Sequence, residues 1–348
     1  MSDRRGRDGQ RDPIRGLRKG LTSYGDAGFS LFLRKAFIKA SGYSDDALDR
    51  PIVGVTNTFS DFNPCHGNVP DLIESVKRGV MLAGGLPMVF PTISIGESFA
   101  HPTSMFLRNL MAMDTEEMIR AQPMDAVVLI GGCDKTLPAQ VMAAASADLP
   151  AIVVPTGPMV VGHHRGEVLG ACTDCRRFWA QHRAGAIDIA EIELISGRLA
   201  PSVGTCMVMG TASTMACIVE ALGLALPMSA TAPATHADRR RIAEVSGRRA
   251  AEMAISAAPI PGDLITAASV HNAMIVKVCD CGKSGTNEVG SVRLVIGAFA
   301  ADTIEQFTTE GEIRDEVYCS RNGQGWSSNP EKGVCGGLGD ARLFIVSK

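Results

Sequence analysis

The stretch that decides the fold is Asp125-Ala-Val-Val-Leu-Ile-Gly-Gly-Cys-Asp-Lys-Thr136. A short apolar run rich in β-branched residues ends in two glycines, which predicts a buried strand followed by a tight loop. Cys133, Asp134 and Lys135 stand side by side at its end. Open α/β sheets carry their functional sites at the carboxyl ends of their strands, so these three residues are candidate site residues.

A structural interpretation of Cys133 stays open. Cysteine is among the most frequently buried residue types, and a lone cysteine at a strand end is more often a packing residue than a ligand. The loop also lacks the glycine spacing of a phosphate-binding loop. A thiolate, a carboxylate and an amine in adjacent positions instead suit a site that holds a soft and a hard metal together.

The sequence around this strand repeats the order strand, polar loop, helix. Residues 51–58, 88–95 and 151–157 are further predicted strands. A predicted helix follows the first of them, with Asn68 as its expected N-cap. This alternation predicts an α/β fold in which a mostly parallel sheet is flanked by helices.

Beyond residue 157 the pattern is looser. Residues 176–196 and 237–256 are predicted helices, and the arginines of the second are most simply explained by a solvated face. Those arginines are Arg239, Arg240, Arg241, Arg248 and Arg249. Cys172 and Cys175 have the spacing of a redox pair or half a zinc site, but no second Cys-x-x-Cys follows at finger spacing, which favours a structural role.

A second cysteine-bearing loop is Gly204-Thr-Cys-Met-Val-Met-Gly-Thr-Ala-Ser-Thr-Met215. A backbone so rich in small residues allows close approach to a ligand, and Cys206 lies at its apex. The alternative is a helix N-terminus that buries a small cysteine.

The amino-acid composition argues against several classes of function. The chain has 348 residues, of which 45% are hydrophobic and 20% charged, as in an ordinary globular protein. A net charge of -3 argues against a nucleic-acid or membrane-surface role. The ten cysteines are too dispersed for a secreted disulfide scaffold, and neither a membrane-length apolar run nor a hydrophobic signal core is present. We therefore expect a cytoplasmic protein with reduced thiols.

Three motifs together resemble one protein family. Asn63-Pro-Cys-His66, the loop that contains Cys133, and Gly204-Thr-Cys206 closely resemble the dihydroxy-acid and sugar-acid dehydratases over roughly residues 15 to 275. The resemblance implies that Cys65, Cys133 and Cys206 hold an iron–sulfur cluster with one open iron. A [2Fe–2S] cluster is favoured, with [4Fe–4S] as the alternative.

The resemblance also implies a magnesium ion beside the cluster. Its ligands would be Glu97, Asp134 and Lys135, the last as its carbamate. Carbamylation makes chemical sense because a free ammonium repels Mg²⁺, whereas a carbamate supplies the hard anionic oxygen that the ion prefers. Lys135 and Cys133 would then take part in catalysis.

The implied activity is that of a hydro-lyase. It would convert a 2,3-dihydroxy carboxylic acid to the 2-oxo-3-deoxy acid, with iron as Lewis acid and magnesium stabilising the enolate. Residues 96–105 and 108–113 are more similar to the sugar-acid branch, such as arabinonate or xylonate dehydratases, than to the branched-chain amino-acid branch, which is the alternative. The partners expected are a small-molecule acid and further copies of the chain, as a homodimer or homotetramer.

The sequence departs from the family pattern near residue 277. We expect a flexible arm at residues 1–20, the α/β domain at 21–277 and a divergent tail at 278–348, with no C-terminal β-rich domain. In the family that domain supplies a further magnesium ligand and the serine base, and loss of a general base costs on the order of 10²–10⁴ in rate. A catalytically inactive metal-binding homologue is therefore a second alternative. The tail cysteines fit no site; they are Cys279, Cys281, Cys319 and Cys335.

Overall fold

The computed structural model describes residues 15–21, 24–208, 210–256, 258–273, 319–321 and 324–326. The strands are β1 (Ile52–Asn57), β2 (Leu86–Pro91), β3 (Ala126–Gly131), β4 (Ala151–Pro155), β5 (Gly162–His164), β6 (Glu167–Leu169), β7 (Cys319–Arg321) and β8 (Gln324–Trp326). The helices are α1 (Ala27–Lys39), α2 (Asp45–Leu48), α3 (Val69–Leu82), α4 (Arg108–Ala121), α5 (Thr136–Ala147), α6 (Ala171–Arg183), α7 (Ile189–Leu199), α8 (Thr211–Ala221), α9 (Ala237–Ile255) and α10 (Pro261–Leu264).

The central sheet has four parallel strands in the order β2-β1-β3-β4. The chain moves outward from β1 to β2, returns to the other side of β1 to form β3, and continues to β4. The strand order therefore reverses between β1 and β3, where an open sheet forms a crevice at the carboxyl ends of its strands. The predicted α/β fold with a mostly parallel sheet is confirmed.

Helices cover both faces of this sheet. All six residues of β3 are buried, and successive side chains point to opposite faces. Val128 and Ile130 belong to the hydrophobic cluster that includes α3 and α9. Val127 and Leu129 belong to the cluster that includes α5 and α8. Burial on both sides explains why β3 is a continuous apolar run rather than an alternating one.

Helices α3 and α9 approach each other through two glycines. A Cβ atom on Gly79 would lie 1.9 Å from the carbonyl oxygen of Glu244, and one on Gly247 would lie 2.2 Å from that of Val76. Only a residue without a side chain fits at either position. This contact fixes α9 against the sheet.

Two predicted strands end earlier than expected. β2 runs from Leu86 to Pro91 rather than over 88–95, and β4 ends at Pro155 rather than at residue 157. Each strand ends at a proline that still pairs with its neighbour, and the next residue, Thr92 or Thr156, donates one last hydrogen bond to Asn57 or Gly131. The residues beyond Thr92 and Thr156 form the loops at the carboxyl edge of the sheet.

The prediction of one helix over residues 176–196 is wrong. Helix α6 ends at Arg183 and α7 begins at Ile189, because Gly185 adopts a φ of +71° and Asp188 caps the second helix by accepting from the amide of Glu191 at 2.8 Å. The antiparallel hairpin β5–β6, which was not predicted, precedes these helices. Hairpin and helices share a small core of their own, formed by Leu169, Phe178 and Ile195.

The solvated face predicted for the arginines of α9 is wrong for Arg239, whose side chain is fully buried. The Arg239 guanidinium donates to the carbonyl oxygens of Pro155, at 2.8 Å, and of Ala232. Burial lowers the pKa of Arg239 to about 10, which still leaves it charged at neutral pH. The other four arginines are exposed as predicted.

Some predictions fall largely outside the described residues. The tail at 278–348 is described only in β7 and β8, and the arm at 1–20 only from Arg15 onward. None of the helices in the part of the chain that the structure describes combines the length and apolar character needed to cross a membrane.

Candidate functional site

The loops that follow β1 and β3 meet at the point where the strand order reverses. Cys65 lies in the loop after β1, in the short 3₁₀ helix Pro64–His66, and Cys133 lies in the loop after β3. Because β1 and β3 are neighbouring parallel strands, their carboxyl ends bring the two cysteine-bearing loops together.

Cys133 has a left-handed backbone conformation, with a φ of +55°. This conformation costs a non-glycine residue roughly 1–2 kcal/mol, so the surrounding structure must hold it in place. The Cys133 Sγ lies 3.5 Å from the amide nitrogen of Lys135 and 3.8 Å from the Thr136 hydroxyl oxygen. The turn thus directs backbone and side-chain donors of the α5 N-terminus toward the sulfur.

Gly132 joins the two loops. Its amide donates to His66 Nε2 at 2.9 Å, and a Cβ at this position would lie 3.0 Å from the carbonyl oxygen of Cys65. The same Cβ would lie 2.1 Å from the hydroxyl oxygen of the buried Thr156, so residue 132 has no room for a side chain. Burial lowers the pKa of His66, which favours the neutral ring that this hydrogen bond requires.

The loop that carries Cys206 is attached to the same place. Gly204 donates to the carbonyl oxygen of Pro64 at 3.1 Å, and Thr205 donates to that of Gly157 at 2.8 Å. The loop after β4 therefore holds the Cys206 loop beside the Cys65 loop.

Asn68 occupies the N-cap position of α3 as predicted, but its side chain makes no capping hydrogen bond. Its side-chain amide donates instead to the carbonyl oxygens of Thr156, at 2.8 Å, and Ala234, at 3.2 Å. Two loops would otherwise bury these carbonyl groups without a donor, which explains why the side chain turns away from the helix.

The charges of Cys133 and Cys206 affect the ionisation of the Cys65 thiol. Burial, followed by the neighbouring Cys133, Cys206 and Asp134, raises the pKa of Cys65 to about 12. Burial also raises the pKa of Cys133. Thiolates in this position need positive charge to compensate them, and the iron of a cluster supplies that charge. The donor set therefore fits an iron–sulfur cluster.

A cation already occupies the position between the two predicted carboxylate ligands. Lys135 Nζ lies 2.6 Å from Glu97 Oε2 and 2.6 Å from Asp134 Oδ2, and its side chain is only 3% exposed. Burial alone would lower the pKa of Lys135, but the two carboxylates hold it above its ordinary value. Two carboxylates that converge on one cation suit a hard divalent ion once the ammonium is neutralised.

Glu97 is oriented by the loop that precedes α4. Lys135 and the hydroxyl of Ser104, which donates to Glu97 Oε2, keep the pKa of Glu97 below its ordinary value. Arg108 donates to the carbonyl oxygen of Asp134 at 3.2 Å. Neither Ser104 nor His66 was predicted as a site residue, although both lie inside the motifs from which the site was predicted.

Single-ion coordination by side chains alone is not observed. Within the described residues, no three His, Cys, Asp or Glu side chains are close enough together to hold one metal ion. A cluster spreads its cysteine ligands over more than one iron, and the cation position has two carboxylates and a lysine.

The other predicted cysteine pair lies elsewhere in the fold. Cys175 is an exposed residue of α6, in the lobe formed by the β5–β6 hairpin and helices α6 and α7. Its spacing partner Cys172 belongs to the same helix.

The fold is an α/β domain in which hydrogen bonds join the loops that carry Cys65, Cys133 and Cys206, at the point where the strand order reverses. Residues 50–312 match the family described as dihydroxy-acid/6-phosphogluconate dehydratase N-terminal. The chain belongs to this family.

Individual relatives include dehydratases of two kinds of acid. L-arabonate dehydratase from Azospirillum brasilense is 43% identical over 76% of this chain and 45% of its own length. L-arabinonate dehydratase from Rhizobium leguminosarum bv. trifolii is 40% identical over 80% of this chain and 48% of its own length. Dihydroxy-acid dehydratase from Pyrococcus abyssi is 35% identical over 72% of this chain and 46% of its own length. The chain spans about half the length of these curated relatives.

Proposed function

We propose that this chain is the cluster- and magnesium-binding part of a hydro-lyase that dehydrates a sugar acid to its 2-oxo-3-deoxy acid. Cys65, Cys133 and Cys206 would hold an iron–sulfur cluster, for which [2Fe–2S] is favoured. Glu97, Asp134 and carbamylated Lys135 would hold Mg²⁺.

One observation supports the proposal: hydrogen bonds join the loops that carry Cys65, Cys133 and Cys206, beside two carboxylates that share a cation. Cys65 and Cys133 are 68 residues apart, and Cys133 and Cys206 are 73 residues apart. Convergence over such separations requires the whole α/β domain. Soft and hard donors then lie side by side, as a reaction with both an iron and a magnesium ion requires.

When bound, the iron would serve as a Lewis acid for the departing 3-hydroxyl and the magnesium ion would stabilise negative charge at the substrate carboxylate and C2. The chain's own residues orient these groups. Ser104 holds the Glu97 carboxylate, and Arg108 holds the backbone of Asp134. Phe62 and Phe99, in the loops that carry Cys65 and Glu97, are both exposed and stack edge to face at 5.8 Å.

The preference for a sugar acid has support from the relatives. The arabonate and arabinonate dehydratases are 43% and 40% identical to this chain, against 35% for the dihydroxy-acid dehydratase. The competing substrate class is a branched-chain dihydroxy acid. Turnover of L-arabinonate against 2,3-dihydroxyisovalerate by the same preparation separates the two.

The decisive test is iron and acid-labile sulfide per chain after anaerobic purification, together with the absorption spectrum. We expect near-stoichiometric cluster in the wild type and none in Cys133→Ser. Cys217→Ser is the matched control, because Cys217 is also buried but lies on α8 and belongs to the hydrophobic core. Unchanged iron content in Cys133→Ser would refute the ligand assignment.

A further inference from the structure

His66 connects three loops at the carboxyl edge of the sheet. Its ring is fully buried. Nε2 accepts from the amide of Gly132, in the loop after β3, at 2.9 Å. Nδ1 lies 2.8 Å from the carbonyl oxygen of Thr58, after β1, and 3.0 Å from the hydroxyl oxygen of Ser94, after β2.

These contacts determine the tautomer. An amide N–H can only donate, so Nε2 must accept, and the ring hydrogen of a neutral histidine then resides on Nδ1. From Nδ1 it donates to the Thr58 carbonyl oxygen. The ring thus has one acceptor and one donor, each matched to a fixed backbone group that follows a different strand.

We propose that His66 is a positioning residue that fixes the separation between Cys65 and Cys133 and thereby allows both to bind the same cluster. This inference rests on the proposed function, since it concerns assembly of the same site. His66 directly follows Cys65 in the chain, and the amide it accepts from belongs to the residue directly before Cys133.

The hydrogen bond from Gly132 to His66 matters because the next residue, Cys133, has a left-handed backbone conformation. A non-glycine residue remains at a φ of +55° only where its surroundings determine the backbone on both sides. On the α5 side, the amide of Lys135 lies 3.5 Å from the Cys133 sulfur. On the β3 side, the constraint is the bond from Gly132 to His66.

A mere packing role for His66 makes a different prediction. Glutamine can place its side-chain oxygen near the position of Nε2, whereas the shorter asparagine reaches only the position of Nδ1. His66→Gln therefore retains an acceptor for Gly132, and His66→Asn retains only a donor for Thr58. A packing residue would tolerate the two substitutions in proportion to the volume they remove, with no dependence on the acceptor.

The experiment compares iron and acid-labile sulfide per chain, and the lifetime of the visible absorption in air, in the full chain. Each apo-protein is also melted thermally. We expect iron content to fall at least fivefold in His66→Asn and to stay within twofold of the wild type in His66→Gln.

His164→Asn is the matched control, because His164 is the other buried histidine among the described residues. It bonds to Glu191 at 2.7 Å in the lobe of the β5–β6 hairpin. We expect this variant to lose thermal stability but to keep its iron.

Two results would overturn the proposal: equal iron in the two His66 variants, or iron that falls in step with the melting temperature across all three variants. A wild type without iron after reconstitution would refute the proposed function itself, so the two failures are distinguishable.

Discussion

Lys135 is the residue whose chemistry depends most on its neighbours. Glu97 and Asp134 both contact its ammonium at 2.6 Å, and an arginine can replace that charge but cannot form a carbamate. We expect Lys135→Arg to remain folded and to bind Mg²⁺ at least tenfold more weakly than the wild type. Calorimetric titration with Mg²⁺ in bicarbonate buffer measures this, with Lys77→Arg, at an ion pair on α3, as control. Unchanged affinity would remove Lys135 from the magnesium site.

Asp125, which is not a site residue, makes the free energy of unfolding depend on pH. Its Oδ2 accepts from the amides of Gly16 and Ile52, each at 2.8 Å, and burial raises its pKa above the ordinary value of 3.8. The folded chain therefore retains a proton that the unfolded chain has released. The contribution of Asp125 to stability is complete below pH 3.8 and is lost as the pH rises through the folded pKa.

Asp125→Asn isolates this effect, because one amide oxygen can accept both hydrogen bonds without titrating. We expect the free energy of unfolding of the wild type, relative to this variant, to decrease between pH 3.8 and 7. Urea unfolding across that range measures it. A relative increase would mean that the nearby Lys19 and Arg15 outweigh burial and lower the pKa of Asp125.

At the level of secondary-structure elements, the contact between α3 and α9 makes a prediction about glycine. A methyl group on Gly247 would lie 2.2 Å from the carbonyl oxygen of Val76, so the helices must separate. We expect Gly247→Ala to destabilise the chain by about 1–3 kcal/mol, the usual cost of overpacking.

Gly197→Ala is the matched control for that contact. Gly197 is in helix α7, and apart from the adjacent residues and the backbone of its own helix no atom lies within 4 Å of the position that a methyl group would take there. At this position alanine should stabilise by roughly 0.5–1 kcal/mol, through helix propensity alone. Equal effects of the two substitutions in chemical denaturation would contradict the close contact of α3 with α9.

The elements that could be predicted well from the sequence are those whose burial is uniform. Every residue of β3 is buried, so its apolar run is unambiguous, and parallel strands place their loops at one edge. That logic predicted the position of Cys133, Asp134 and Lys135. The hairpin β5–β6 has only three residues in each strand, too few for a recognisable alternation.

Other features depend on contacts that are distant in sequence. Arg239 is buried because it donates to carbonyl groups at the end of β4 and in the loop before α9. Both carbonyl groups lie outside α9, so the spacing of polar residues along that helix does not reveal them. The role of His66 depends in the same way on an amide 66 residues away. Local patterns of polarity contain no information about such partners.

At the scale of the whole molecule, a cluster would act as a crosslink. Its three ligands come from loops 68 and 73 residues apart, so binding closes two long segments of chain. In the chain-entropy treatment of crosslinks, each closure of this length contributes about 4 kcal/mol to stability. This estimate applies to a cluster that stays bound in the unfolded chain, as a disulfide does.

We therefore expect the melting temperature of the chain to rise by on the order of 10 °C when the cluster is reconstituted, since about 1 kcal/mol corresponds to roughly 2 °C in a chain of this size. Anaerobic scanning calorimetry before and after chelation of the iron measures the rise. Cys206→Ser, like Cys133→Ser, should retain little or no cluster, so reconstitution should raise its melting temperature far less while the apo-protein melts close to the wild type. An equal rise in this variant would show that Cys206 is not a ligand, because the loop between Cys133 and Cys206 would then contribute no closure.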